Sequence, residues 1–293
     1  MPQDAFETLA RTLRPRLHRY CARMLGSAFE GEDVVQDALV KAAAAWSSTG
    51  EIDRPDAWLL RIAHNTALDA LRRRKRQAAR QAVVELDGVA DMAAAADARV
   101  AASASLAAFM PLSATERSSV ILVDVLGDSL EETAAVLGVT LAAVKAALHR
   151  GRGRLRAVTA AGAPTLTTSA TLKDEKLRLR NYADRFNARD FDALRRLLAE
   201  DVTLDLAGRT RLAGRKDVSV YFHRYEERSD WRFAAVLADG RPALLGVNPD
   251  DGDDRWVVLL DWRGAEIAAI RDFRFATYVT DALTLSPLGE AEA

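Results

Sequence analysis

Apolar residues recur every three or four positions through the first part of the chain. Phe6, Leu9, Leu13, Leu17, Tyr20, Cys21 and Met24 form one series, Val34, Val35, Ala38, Leu39 and Trp46 a second, and Trp58, Leu59, Ile62, Ala63 and Leu71 a third. Each is the stripe that an amphipathic helix turns towards a core. Gly26, Gly31 and the segment from Ser47 to Pro55 punctuate the series, which predicts a helical bundle over residues 1–80. Between residues 106 and 158 the period is again helical, with sharper boundaries. Ser129 followed by Glu132 makes a capping box, which starts a helix. Gly138 suits a left-handed C-cap, and Thr140 caps a second helix only two residues later. That second helix turns Leu141, Val144 and Leu148 inward and leaves Lys145, His149 and Arg150 on other faces, the plan of a helix-turn-helix. The spacing by itself also describes an ordinary amphipathic hairpin with a solvated basic face.

The pattern then changes. Tyr182 to Leu194 and Leu197 to Val202 read as two short helices leading into a first strand, and Gly214-Arg215 precedes a helix containing Val218, Tyr221 and Phe222. Asp239-Gly240, the acidic run from Asp250 to Asp254, and Arg263-Gly264 are turn signals between runs of Val, Leu, Ile and aromatic residues. They predict an antiparallel sheet of hairpins after a helical start, hence α+β. Two stretches, 81–105 and 159–172, are too rich in Ala, Gly, Pro, Thr and Ser to bury a core and read as linkers. The chain is therefore expected to be multidomain: all-α modules at 1–80 and 106–158, then an α+β module at 173–286, with no repeat among them.

Composition narrows the function. Of the 293 residues, 49% are hydrophobic and 28% charged, as in an ordinary globular protein. The single cysteine, Cys21, excludes an internal disulfide framework and reads as a small buried hydrophobe, and four dispersed histidines argue against a Cys/His zinc site. His18, His64 and His149 read as filler rather than ligands. No metal, cofactor or catalytic residue is expected. The N-terminus lacks the basic-then-apolar pattern of a signal peptide, and no apolar run approaches the roughly 20 residues that span a bilayer, so a cytoplasmic chain with no membrane partner is expected.

A net charge of −1 gives no global attraction for polyanions. Divided along the chain, the charge is uneven: residues 1–80 hold 14 bases against 10 acids, 81–160 hold 7 against 9, and 161–293 hold 20 against 23. Arg72, Arg73, Arg74, Lys75, Arg76 and Arg80 make one acid-free cluster, and Lys145, Arg150, Arg152, Arg154 and Arg156 a second. Two separated basic patches suggest two contacts on one long polyanion, with a solvated helix tail as the lesser reading of the first. Asp33, Gln36 and Asp37 share one helix face and could dock a basic protein surface. Asn65, Asp69, Arg72 and Arg73 lie along one side of the next helix, where an amide can meet base edges and arginines can meet phosphates.

These strings resemble a known family. Glu32-Asp33-Val34-Val35-Gln36-Asp37, Trp58-Leu59 with Ile62-Ala63 and Asn65, and Asp69 with Arg72-Arg73 are similar to region 2 of a bacterial RNA polymerase sigma factor of the extracytoplasmic-function class. Leu112-Ser113 with Glu116-Arg117, Glu131-Glu132 with Ala134, Leu137-Gly138-Val139, and Val144-Lys145 with Leu148-His149-Arg150 resemble region 4. The resemblance implies that the helix bearing Asp33, Gln36 and Asp37 docks on the clamp-helix coiled coil of the polymerase's largest subunit. It implies that the loop containing Ser47, Ser48 and Thr49 captures a flipped base of the −10 element with help from Asn65, Asp69, Arg72 and Arg73. The helix carrying Lys145, Ala146, His149, Arg150 and Arg152 is then expected in the major groove at the −35 element. Core RNA polymerase and promoter DNA are the implied partners, and a separate anti-sigma factor stays open. There are departures: Ala146-Ala147 replaces the family's Ser-Arg, which weakens or retunes upstream recognition; Gly151 and Gly153 are expected to let the helix end fray; and Thr133 stands where an aliphatic residue is usual, a modest packing loss.

The third module resembles a SnoaL-like domain of the NTF2-like superfamily, a cone of helices on a curved sheet with an internal pocket. His223, Asp205, Trp231 and Asp272 are conceivable lining residues. The resemblance implies a regulatory extension, acting through a small ligand or an intramolecular contact, that sets the spacing of two otherwise loosely tethered modules. Two other readings stand beside the sigma factor. A cyclase or isomerase would need a base inside the cone, and a ligand-sensing helix-turn-helix repressor would leave the acidic face at Asp33 to Asp37 unexplained.

Overall fold

A computed structural model describes residues 3–49, 52–79, 100–101, 104–161, 172–227 and 231–288, and most of both predicted linkers lies outside them. The chain divides into two compact units, Met1–Pro164 and Thr165–Ala293.

In the first unit, α1 (Gln3–Leu25), α2 (Ala28–Trp46) and α3 (Pro55–Ala79) follow the three apolar series. Ser27 caps α2, its hydroxyl accepting the Glu30 amide at 3.3 Å. Gly31, expected as a break, lies buried inside α2. A Cβ there would sit 2.6 Å from the Ala22 backbone, so the residue permits a close crossing of α1 and α2. After a 3-10 turn (Leu106–Phe109) come α4 (Ala114–Val120), which continues as a π turn through Ile121–Val125, α5 (Leu130–Leu137) and α6 (Leu141–Ala160).

The loose tethering expected of the two helical modules is not what the structure shows. Tyr20, Cys21, Met24, Val35 and Leu59 share one buried cluster with Phe109, Leu112, Val120, Ile121 and Leu122. Burying that much apolar surface is the main force closing the unit. Arg117 fixes the joint: its buried guanidinium donates to the Met24 carbonyl near the end of α1, and to the Met110 and Leu112 carbonyls at 2.7 and 2.8 Å. Burial pulls this guanidinium down to about 10, which leaves it charged at neutral pH. Arg16 pairs with Asp128, and Arg54 reaches Glu132 at 2.7 Å.

Two histidines sit neutral in this core. The His18 Nε2–H donates to the Ala28 carbonyl at 2.9 Å, and the Tyr20 hydroxyl donates to His64 Nδ1 at 2.6 Å. Burial, aided by nearby arginines, pushes each imidazole down to about 4.

The second unit opens with α7 (Leu172–Asn187) and α8 (Phe191–Arg196). Here the sequence reading is corrected. The run from Tyr182 to Leu194 is itself broken by Arg189 in the left-handed region (φ 64°) and by Asp190, whose carboxylate accepts the Ala193 amide at 3.0 Å. Leu198–Leu206, read as starting in a helix, is strand β1. There follow β2 (Thr210–Ala213), α9 (Arg215–Glu226), β3 (Arg232–Ala238), β4 (Arg241–Asn248), β5 (Asp251–Arg263), β6 (Glu266–Asp272), α10 (Thr277–Asp281) and β7 (Leu285–Pro287). The strand order is β2-β1-β6-β5-β4-β3-β7; β1 pairs parallel with β6 and the other neighbours are antiparallel. The Asp239-Gly240 and Arg263-Gly264 turns join hairpins as the sequence predicts. Helices on one face cover an aromatic core of Phe186, Phe191, Tyr225, Phe233 and Trp256.

Two outcomes test this account. Arg117→Ala strands three carbonyls and should lower stability to urea by about 3 kcal/mol, with Arg117→Lys recovering part of the loss. On acidification the unfolded chain protonates His18 and His64 near pH 6.5 while the folded chain resists until about 4, so stability falls as pH drops through that window. The loss is about 2 kcal/mol per histidine by pH 5, and His64→Gln should flatten the urea-midpoint profile between pH 7 and pH 5.

Candidate nucleic-acid interface

The outer face of α2 is built by its inner one. Val34, Val35, Ala38 and Leu39 face the core, which leaves Asp33 and Asp37 exposed one turn apart. Gln36 is half-buried beside them, its side-chain oxygen accepting from Arg14 at 2.7 Å. Val40, 61% exposed, extends the same stripe by another turn. The result is an acidic face with an apolar end, suited to a basic amphipathic helix. Sequence reasoning passed over Val40, although an aliphatic residue off the core stripe is its signature. Glu32 does not join this face: it is buried and paired with Arg14.

On α3, Asn65, Asp69, Arg72 and Arg73 are all exposed at offsets of four, seven and eight, a single helix side. Arg72 bonds Asp69 at 3.1 Å and Arg73 lies 4.0 Å from Asp37, so the α2 and α3 faces adjoin. The loop carrying Ser47, Ser48 and Thr49 is exposed, and the Ser48 and Thr49 hydroxyls donate to the Ala45 carbonyl at 3.0 and 2.6 Å, closing the end of α2. Its ends are anchored by Trp46 and Trp58, whose rings pack 5.7 Å apart. Arg72 and Lys75 also rim a cleft of about 400 Å³ whose far wall is Ala114, Thr115, Ser118, Leu137 and Val139.

The helix-turn-helix forms as its caps dictate. The Ser129 hydroxyl accepts the Glu132 amide at 3.1 Å, and the Ser129 amide donates back to the Glu132 carboxylate at 2.9 Å. That amide first, and Arg54 second, hold Glu132 down to about 2. Gly138 is left-handed (φ 67°), and the Thr140 hydroxyl accepts the Ala143 amide at 3.2 Å. A second capping box, Ser113 with Glu116, starts α4; its S-x-x-E signal is as plain in the sequence.

Not every basic residue of α6 faces outward. Lys145, Ala146 and His149 are exposed. Arg150 reaches back to Glu116 at 3.1 Å and Arg154 to the same carboxylate at 2.7 Å. Burial pushes Glu116 up, but the Ser113 amide and hydroxyl and these arginines outweigh it and hold the carboxyl below its usual range. Arg152, expected at DNA, makes a bidentate pair with the buried Asp124 at 3.0 and 2.6 Å and faces α4. The helix end is formed: α6 runs through both glycines to Ala160. At Gly151 a Cβ would lie 2.7 Å from the Val120 side chain, so the glycine permits close packing on α4. Thr133 is fully buried with no hydroxyl partner among the described residues, in keeping with a small packing loss.

In the second unit, Trp231 and Asp272 line a cavity, together with Tyr221 and Tyr225. His223 and Asp205 do not: His223 is exposed and bonds Glu226 at 2.7 Å, and Asp205 pairs with Arg211 at 3.2 Å. The two tyrosines escaped sequence reasoning because their i, i+4 spacing is also that of core residues. Among the described residues no single helix is long and apolar enough to cross a membrane, and no three His, Cys, Asp or Glu side chains are placed to hold a metal.

Family models match for Sigma-70 region 2 over residues 9–77, Sigma-70 region 4 over residues 106–155, and a SnoaL-like domain over residues 179–278. The ECF RNA polymerase sigma factor SigG of Mycobacterium tuberculosis is 27% identical over 259 residues, covering 78% of this chain and 70% of SigG. SigM of the same organism, also an ECF RNA polymerase sigma factor, is 32% identical over 151 residues, covering 52% of this chain and 75% of SigM. A crystal structure of the Mycobacterium tuberculosis extracytoplasmic function sigma factor SigJ is 22% identical and covers 89% of this chain and 94% of SigJ, with a TM-score of 0.34. With regions 2 and 4 matched in order and SigM spanned over three quarters of its length, this chain belongs to the ECF family of RNA polymerase sigma factors and carries a SnoaL-like domain behind them.

Proposed function

We propose that this sigma factor presents three faces to its partners: the α2 stripe of Asp33, Gln36, Asp37 and Val40 to core RNA polymerase; the α3 side of Asn65, Asp69, Arg72 and Arg73, with Ser47, Ser48 and Thr49, to the melted −10 element; and Lys145, Ala146, His149 and Arg150 of α6 to the −35 element. The observation that supports this most is the sorting of charge. Arg152 and Arg154 are drawn inward by Asp124 and Glu116, while the charged residues assigned to partners stay exposed. Phosphate contacts position such helices and base contacts specify, and trapping an unstacked base offsets the few kcal/mol of unpairing.

Geometry then requires opening. The two promoter elements are named for positions about 25 base pairs apart, or roughly 85 Å of duplex. A compact unit of about 160 residues has a radius of gyration near 15 Å and a diameter near 40 Å. The closed unit cannot grip both elements, so polymerase must part region 4 from region 2 at the Arg117 joint. Free protein should bind promoter poorly for this reason, and its net charge of −1 adds little attraction.

No covalent chemistry is assigned to the chain. A cyclase would need a base in the cone, and Asp272, the acid among the described cavity residues, already accepts from two tyrosines and a backbone amide. The SnoaL-like domain is read as regulatory; the match to SigG, which runs through the helical modules and on into this domain, supports one working chain. The place of action is the cytoplasm, where polymerase works.

Asp33→Lys with Asp37→Lys, both exposed, should leave the melting temperature unchanged and weaken co-elution with core polymerase at least tenfold. It should also abolish promoter-specific transcripts in a reconstituted assay; intact association would refute the α2 assignment. Removing residues 173–293 should change the yield of such transcripts severalfold, and an unchanged yield would remove the regulatory role.

A further inference from the structure

The cleft between α3 and α4 is walled by both sigma regions. One wall is a single face of α3, carrying His64, Leu68, Arg72 and Lys75; the other belongs to α4 and the end of α5, through Thr115, Leu137 and Val139. Its volume of about 400 Å³ lies within the range of small-molecule sites. Neither wall encloses it alone, so the cleft exists only while region 2 and region 4 are packed together.

No acid stands among the described lining residues. Arg72 and Lys75 are both exposed at the rim, one turn of α3 apart. Asp69 shares Arg72 at 3.1 Å, while Glu116 and Glu132 across the cleft are held by Arg150, Arg154 and Arg54. Arg61 adds positive charge near His64, whose imidazole is kept neutral by burial first and by Arg61 and Arg72 second. Because the Tyr20 hydroxyl donates to His64 Nδ1 at 2.6 Å, the ring's own proton sits on Nε2, a donor on the cleft wall. The Ser118 hydroxyl donates to the Thr115 carbonyl at 3.1 Å, and the Thr115 side chain is exposed. The polar groups of the cleft are thus chiefly cations and donors. Between them the surface is aliphatic, made by Leu68, Leu71, Leu137 and Val139.

We propose that this cleft binds a phosphate monoester on a compact apolar ring body, and that the bound ester locks the first unit closed. The phosphate meets Arg72 and Lys75 at the rim, and the ring body lies between Leu68 and Leu71 on one side and Leu137 and Val139 on the other. A phosphate monoester carries a charge of about −1.5 to −2 at pH 7, which suits a guanidinium fork beside a lysine point charge. Since region 2 supplies one wall and region 4 the other, the ester binds the closed form and not the parted one. It therefore opposes the opening that polymerase requires, and it also engages Arg72, which the −10 face uses. The lock rests on the opening proposed above; the binding itself does not.

Calorimetric titration of the full chain with naphthyl phosphate, naphthyl sulfate and inorganic phosphate tests the site. Naphthyl phosphate should bind saturably and about tenfold tighter than the singly charged sulfate of the same shape, and tighter also than inorganic phosphate, which has no apolar body. Lys75→Gln on one wall and Thr115→Glu on the other should each weaken it by about fivefold or more. Both positions are exposed, and an acid in the first turn of α4 suits the helix, so neither change should lower the melting temperature. In a reconstituted transcription assay with limiting polymerase, naphthyl phosphate at about a hundred times its Kd favours the closed form about a hundredfold and should cut the parent's transcripts about tenfold. Each variant, compared with its own yield without probe, should lose far less. The site is overturned if no probe saturates, if the sulfate binds as tightly as the phosphate, or if binding survives either substitution. Saturable binding that leaves transcripts undiminished overturns the lock. A chain that directs no transcripts even without probe refutes promoter reading instead, and the titration still decides the site.

Discussion

A buried cation joins the two halves of the promoter-reading unit. Arg117 places its guanidinium among the carbonyls of Met24, Met110 and Leu112, where the end of α1 meets the turn before α4. Carbonyls at a helix C-terminus carry partial negative charge and lack intrahelical donors, so a five-donor fork is well matched to them. The apolar cluster around Tyr20, Met24, Phe109 and Ile121 excludes water from the joint, which strengthens these bonds and makes their loss expensive. Region 2 and region 4 are thus not beads on a string in the free chain. The closed form is a folded state in its own right, and any partner that uses both modules must supply the free energy of separating them.

The same economy of charge governs the recognition helix. Gly151 lets α6 approach α4, and the approach brings Arg150 and Arg154 to Glu116 and Arg152 to Asp124. The basic cluster seen in the sequence is therefore only partly a nucleic-acid surface; much of it neutralises buried acids. What is left outward, Lys145, His149 and the exposed Arg150 beside Ala146, is a small surface. That fits a factor whose upstream grip depends on being held to polymerase by another face.

What the sequence disclosed and what it withheld divide along a physical line. Features encoded within four residues were legible: the Ser129–Glu132 box, the left-handed Gly138, the Thr140 cap and the hairpin turns at Asp239-Gly240 and Arg263-Gly264. The outward faces of α2 and α3 followed from the same period. Features that depend on a distant partner were not legible. Gly31 and Gly151 looked like weak points because their role is fixed by Ala22 and Val120, far away in the chain. Arg117 carries no local mark of burial, and the shared core has no signature in either module alone. In the second unit, Tyr221 and Tyr225 read as packing residues until Asp272, nearly fifty positions later, is brought against them.

The parallel pairing of β1 with β6 sets an order of events during synthesis. Leu204 finds its neighbour in Ile270, so the β1–β6 pair waits for nearly the whole domain to leave the ribosome. At about 5–20 residues per second that interval is roughly ten seconds. Contacts so distant along the chain also form slowly, because loop closure precedes any gain. The helical unit, complete at residue 164, has that time to close on its own. A newborn chain would pass through a stage with its promoter-reading half already shut and its β1 edge still unpaired, the interval in which a chaperone has most to offer.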